Sequence, residues 1–547
     1  MPTFEKTRFD FQKEITRLDF ADRGKTELVA FKECQPKLLV VTDSLSYSAS
    51  NDFGLTQFVA TLASSTIHGM TPSVIKAARG LLAGADITSF KFDDSAHGLL
   101  KSRYDVVFIL GFDSEGGAPG VGGQVTQSEI DAIARFMQAG GGVFATGDHE
   151  SLGAAISRDI PRVREMRFWK QSNTPNVASE LRLSTNMSGS NEVEDFEDQS
   201  DALPQTLYPN FRTKAGNPGV LGKPALAHPL LQLPATPAVA HPVIEVFPDH
   251  PHEGECRVPS NLSTTFTLDG SNQPEWPAAL AGGALPPEIV AMTMSHGSGF
   301  PFGPTGPKTA LTPRAFISIC AYDGQRADVG RVVTDATWHH FVNVNLDGAA
   351  SGLSALRPGS PPTDSPALLR IRQYYRNLAT WLMPAKTRRC LRFPLILAEL
   401  ARFPLFEELV IPGPPNPPDP AELVLIGEQL VNSLSRRLPS WEVEALATDA
   451  LAEALGDEAT ERLLSTAGKL GTLSSRALAL GALGAITTNT VKALPKLESL
   501  SAVQPHETFE HGAQKSAKTA VMSLIEASRR ELRDFDATLA KVLGSTD

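Results

Sequence analysis

The sequence predicts an α/β fold: a parallel, doubly wound sheet with a long insertion, plus a C-terminal all-α region. Three observations lead there. Short apolar runs alternate with capped helical patterns over residues 37–146. Two of these runs end in polar side chains, Lys37–Thr42 in Asp43-Ser44 and Gly142–Thr146 in Gly147-Asp148-His149-Glu150. Carboxyl ends of strands in open α/β sheets are where ligands bind. Beyond Pro420 the chain is rich in Ala, Leu, Glu and Arg and reads as helix throughout.

Residues 1 to about 35 read as a helical or irregular lead-in. Lys37–Thr42 is the first strand, and Gly54 to about Ser64 a helix. Thr71-Pro72 opens another helix, with proline in its first turn. Ile87–Phe92 alternates like a strand, and Tyr104–Leu110 is a buried one. The segments beginning at Lys37, Ile87, Tyr104 and Gly142 are expected to be sheet neighbours. Gly111–Gly123 is a glycine-rich loop without a GKS or GKT ending, so it is not read as a P-loop. Thr126 and Glu129 form a capping box for a helix that puts Ile130, Ile133 and Met137 on one face.

The strand Gly142–Thr146 then meets a sharp turn at Gly147, a residue chosen for its backbone freedom. Asp148, His149 and Glu150 follow, three ionisable groups that need water, a partner or a metal. A solvated loop with a helix cap is the plain alternative. Arg158, Arg162, Arg164, Arg167 and Lys170 come next, either a solvated basic face or an anion clamp or partner surface. Residues 171 to 285 read as an insertion with little regular structure, in the position of a lid. It contains Asp249-His250-Pro251-His252-Glu253-Gly254-Glu255 after a short apolar run. Two histidines and three carboxylates in seven residues suit metal binding, with a solvated polar turn as the alternative.

Strand-like segments resume at Glu288–Ser295 and Ala315–Ala321, and Gly330–Asp335 runs into Trp338-His339-His340. Ser365-Pro366 caps a helix carrying Leu368, Ile371, Tyr375, Leu378 and Leu382, and more helix follows to about Val410. A proline-rich stretch, 411 to 420, is a stiff linker. The expected organisation is thus an α/β domain over 1–350, a helical extension over 351–410, and a helical bundle over 421–547 that is separable from the site and serves packing, partner binding or homo-oligomer assembly.

The 547 residues include 41% hydrophobic and 20% charged side chains, enough for a large core. A net charge of −11 argues against general affinity for nucleic acid or anionic membrane. Cys34, Cys256, Cys320 and Cys390 are widely spaced, which fits a reducing cytoplasm better than a disulfide framework. The N-terminus lacks an apolar signal core. The longest uncharged run, Ala477–Val491, reads as a packed helix rather than a membrane span.

Three stretches resemble the class I glutamine amidotransferase-like superfamily and, within it, the trehalose-utilisation (ThuA-like) group, over about residues 35–350. YDVVFILGFDSEGG resembles the strand and loop beside the family's oxyanion site, GGGVFATGDHESLG the strand and turn that hold the glutaminase nucleophile, and GRVVTDATWHH the late strand that brings a histidine in. The resemblance implies a flavodoxin-like sheet. Glutaminases carry cysteine in a GxCxG turn, whereas Gly147–Ser151 here places His149 there. Thioester chemistry is therefore not expected, and neither is glutaminase activity. ThuA-like proteins tend to have histidine at this place, and for some of them the resemblance implies sugar-related hydrolysis or modification.

The residues point to a hydrolase acting on a small polar substrate. His149, His339 and His340, with Asp148 and Glu150, are its candidate acid, base and orienting groups. His149, Asp249, His250, His252, Glu253 and His340 are candidate ligands for a divalent metal of unspecified identity. Five of the chain's 12 histidines fall in these three places, which are expected to meet in one pocket. The alternative is a non-catalytic ligand-binding or scaffold protein whose helices mediate assembly.

Overall fold

The structure is a computed structural model. It describes residues 33–114, 123–148, 152–169, 204–211, 227–236, 239, 242–248, 254–295, 314–347, 356–402, 419–470, 472–493 and 505–543. The strands among them are β1 Lys37–Thr42, β2 Ser73–Ala78, β3 Val106–Leu110, β4 Gly142–Thr146, β5 Gln205–Thr206, β6 Tyr208–Pro209, β7 Val246–Phe247, β8 Thr265–Leu268, β9 Ser271–Pro274, β10 Glu288–Ser295, β11 Arg314–Tyr322 and β12 Val332–Asp335.

An eight-stranded sheet runs in the order β2-β1-β3-β4-β12-β11-β10-β6. The first five strands pair parallel and the last three pair antiparallel. β3 and β4 are buried along their whole length, as continuous apolar runs in a two-sided sheet must be. Alternate side chains feed two cores. Leu38, Val40, Val106, Phe108 and Phe144 join Phe58 and Leu62 of the helix Thr56–Ser64 on one face. Leu39, Val41, Val107, Ile109 and Val143 join Ile130, Ile133 and Met137 of the helix Gln127–Gln138 on the other. The capping box forms as its sequence indicates, and Glu129 also takes the buried Arg79 guanidinium at 2.6 Å.

The second strand lies elsewhere than expected. Ser73–Ala78, read as a helix after Thr71-Pro72, pairs with β1 along its length. Ile87 makes only an isolated bridge to Ala77. At the sheet's edge β2 is half-buried over Ser73–Lys76, so its pattern carries little of the periodicity that separates strand from helix.

The described parts of the insertion carry regular structure that its composition does not suggest. β6 extends the main sheet, β5 pairs with β7, and β8 and β9 form a hairpin. Leu207, Leu230, Leu231, Ile244 and Phe247 are buried in the first core.

The helices Pro366–Leu382, Ala385–Arg402, Pro420–Leu434, Ser440–Leu455, Asp457–Leu470, Thr472–Ala493 and Pro505–Leu543 complete the chain. Ser365 caps the first of these through Leu368 N, as its sequence indicates. Among the described residues no helix is long and apolar enough to cross a membrane. The bundle packs against the sheet: one continuous apolar cluster runs from Leu38 and Phe108 through Leu382 and Leu397 to Leu430, Leu451 and Val521. His68 Nε2 lies 3.0 Å from Glu442 Oε2, and Arg376 pairs with the same carboxylate. Most of the linker lies outside the described residues. Cys34 and Cys390, expected as free thiols, form a disulfide that ties the start of β1 to the helix Ala385–Arg402, whereas Cys256 and Cys320 are free and buried.

Candidate functional site

Because β1, β3, β4 and β12 run parallel, their carboxyl ends share one edge. Asp43 follows β1, Asp113 follows β3, Asp148 follows β4, and His339 and His340 follow β12. Gly147 is required by close packing: a Cβ there would stand 2.8 Å from Leu152 O and against the Trp169 ring. The left-handed turn residue is Gly153, φ 83°.

The short helical turn Trp338–His340 begins where Thr337 Oγ1 accepts the His339 N–H at 2.9 Å. It points two imidazoles at two different carboxylates. His339 Nε2 lies 3.4 Å from Asp148 Oδ2, and its Nδ1 lies 3.1 Å from Asn345 Oδ1. An amide oxygen only accepts, so in this assignment Nδ1 donates to Asn345 and Nε2 is turned toward the Asp148 carboxylate. His340 Nδ1 lies 2.7 Å from Asp335 Oδ1, while Tyr374 Oη donates to Asp335 Oδ2 at 2.9 Å. Tyr375 Oη donates to His340 O. Asp148, Asp335 and His340 are all at most 1% exposed, and His339 is 8% exposed.

Aromatic rings surround the pair. Trp338 stacks on His339 at 4.1 Å, Phe53 and Phe112 lie 5.3 and 5.1 Å from Trp338, and Phe247 lies 4.4 Å from His340. Phe53 is 41% exposed and forms the outer lip. Among the described residues, His340 Nε2 and Trp338 Nε1 are buried with no hydrogen-bond partner. Buried polar atoms are normally satisfied, so such atoms in a cluster mark a place for a ligand or water.

Asp43 is buried on the same edge, just after β1. Its carboxylate accepts N–H bonds from Ser44, Phe112 at 2.7 Å and Asp113 at 3.0 Å, and Ser44 Oγ donates to Asp113 Oδ1 at 2.5 Å. Burial, and then the Asp113 charge, push Asp43 up to about 7.

Three arginines of the basic run are not a solvated face. Arg158, Arg162 and Arg167 are buried. Arg162 Nε donates to Glu275 O at 2.8 Å, and Arg164 pairs with Glu275 at 2.6 Å. Arg167 donates to Asp148 O and Ala336 O. Lys170 lies outside the described residues.

Of the expected site residues, Asp148 and His339 are brought together, and His340 stands beside them on its own carboxylate. His149, Glu150, Asp249, His250, His252 and Glu253 lie outside the described residues. The residues flanking the histidine-rich loop are at the site, however. Phe247 covers His340, and a Cβ on Gly254 would run into Arg167 Nη2 and stand 2.8 Å from Ala336 O. Among the described residues no group of three His, Cys, Asp or Glu side chains could hold a metal ion. The only described member of the expected ligand set is His340, whose Nδ1 is held by Asp335 and whose Nε2 is left over. A cavity of about 950 Å³ lies at the opposite, amino-terminal edge, lined by Lys37, Asp105, Gly140 and Arg331 among others. It is remote from these groups, and chemistry rather than size selects the site.

Sequence reasoning missed Asp335, Asn345 and Tyr374. Asp335 ends its strand as Asp43 follows β1, a signal present in the run that was overshadowed by the paired histidines. Tyr374 sits one position before Tyr375 on an apolar helix face and gives no such signal. Comparison with protein-family models, curated proteins and solved structures finds no match for this chain.

Proposed function

We propose that this chain is a hydrolase-like enzyme that acts on a small polar substrate at the carboxyl edge of its parallel strands. One observation carries the reading: two consecutive histidines, each facing a different buried carboxylate, stand just past the end of β12. A histidine oriented through one nitrogen and presenting the other is the recurrent proton-transferring group of hydrolytic sites. His339, the more exposed of the two, exchanges the proton with water or the leaving group. Asp148 stabilises the imidazolium. Asp335 and Tyr374 hold His340, whose free Nε2 faces a partner that the described residues do not supply.

The strand order β2-β1-β3-β4-β12 supports a flavodoxin-like arrangement, and with it the resemblance to the ThuA-like group. The test is a screen of the full-length protein against small ester, amide and glycoside substrates, with His339→Ala and Asp148→Asn alongside. General acid–base groups contribute about 10²–10⁴-fold, so each variant should lose at least about 100-fold in turnover while keeping the wild-type melting profile. Wild-type turnover by a folded His339→Ala protein would sink the reading.

A further inference from the structure

We propose that Arg167 is a positioning residue for the Asp148–His339 pair, locking the turns after β4 and β12 at one spacing; this rests on the reading of that pair as the proton-transferring group. The ladder between β4 and β12 ends at Thr146 and Asp335. Past it, the backbone contact between the two turns is Trp338 N to Gly147 O, 3.1 Å. Arg167 adds the next link. Its Nη2 donates both to Asp148 O, in the residue that carries the carboxylate, and to Ala336 O at 2.8 Å, three residues before His339. One nitrogen therefore spans both turns.

The guanidinium is itself fixed. Nη1 donates to Phe168 O at 3.0 Å, the group lies 4.5 Å over the Trp169 ring, and Gly254 leaves it room where any Cβ would collide with it. A buried arginine ordinarily forks onto a carboxylate. The hydrogen bonds described here go to three backbone carbonyls instead, which suits bracing of the chain rather than charge pairing. Burial opposes its charge, and the Cys256, Asp148 and Asp335 charges partly offset that. With the link removed, the two turns can separate, and the 3.4 Å contact between His339 and Asp148 is the first to open.

The experiment reads ring-nitrogen NMR shifts of His339 in histidine-labelled full-length protein at one pH, for wild type, Asp148→Asn, Arg167→Met, Arg167→Lys and Gly254→Ala. Asp148→Asn should remove the Nε2 signature that the facing carboxylate imposes. Arg167→Met should do the same in a folded protein, and Arg167→Lys, which can still donate to both carbonyls, should restore it. A folded Arg167→Met protein with a wild-type His339 signature overturns the positioning role and leaves the pair intact. No change in Asp148→Asn overturns the pair itself. Should Arg167→Met not fold, Gly254→Ala, which displaces the guanidinium without removing its charge, decides: loss of the signature supports the role and a wild-type signature overturns it.

Discussion

His340 and Asp335 are five positions apart, and Nδ1 of the first lies 2.7 Å from Oδ1 of the second at the end of one strand. The contact is short and buried, and Tyr374 closes it from the helix Pro366–Leu382. Asp335→Asn replaces a carboxylate by an amide that must present either its oxygen or its nitrogen to His340. Turnover should fall by about 10²-fold or more, whereas Tyr374→Phe, which removes one donor, should cost about 1 kcal/mol of stability and less activity. Equal turnover for Asp335→Asn and wild type would show that His340 is structural.

Asp43 should titrate near pH 7 in carboxyl-observed NMR of the folded protein. Its folded value is raised to about 7 from an ordinary 3.8, so the native state binds the extra proton. The stabilisation this supplies is fully present below about pH 4 and fades as pH climbs through 7. Asp113→Asn removes the like charge and should move the midpoint down. A midpoint near 4 in the wild-type protein would refute this account.

Glu442 behaves in the opposite sense. Burial alone would raise its pKa, but the Arg376 charge and the His68 hydrogen bond outweigh burial and bring it to about 2, below the ordinary 4.5. Its contribution is present above about pH 4.5 and is lost as pH falls toward 2, with a magnitude on the order of 3 kcal/mol. Glu442→Gln should flatten the acid limb of the stability curve. It should also destabilise by about 3–5 kcal/mol, because Arg376 keeps its charge with no carboxylate opposite. An unchanged acid limb in urea titrations from pH 2 to 5 would contradict this.

Truncation at about residue 412 should not yield a well-behaved α/β domain. It strips Ile426, Leu430, Leu451 and Val521 from a cluster that includes Leu382 and Leu397, and leaves Arg376 without Glu442. Exposure of a contiguous apolar face should give aggregation or a melting temperature lower by ~10 °C or more. A monomeric truncation that melts like the full chain would show the shared core to be dispensable.

Glutamine hydrolysis should be undetectable, and cysteine alkylation should change no activity of the native protein. Cys256 and Cys320 are buried, Cys34 and Cys390 are joined, and the Gly147–Ser151 turn carries no thiol. Glutaminase turnover abolished by iodoacetamide would reverse this.

The sequence by itself determined the α/β class, the strands β1, β3, β4, β10, β11 and β12, the capping box at Thr126, the Ser365 cap, and the edge where Asp148 and His339 stand. These are local signals: burial period, cap spacing, and a polar residue where an apolar run stops. Tertiary structure decided what local pattern cannot encode. β2 is a strand because β1 offers it a ladder, although its own residues read equally as helix. Arg162 and Arg167 look like surface charge in the chain, but distant carbonyls at Glu275, Asp148 and Ala336 take them inside. The helical bundle looks detachable because a proline-rich stretch precedes it, yet its apolar faces close the same core as the sheet. Asp148 meets His339 because parallel neighbours place their carboxyl ends side by side, a relation set by strand order rather than by any spacing along the chain.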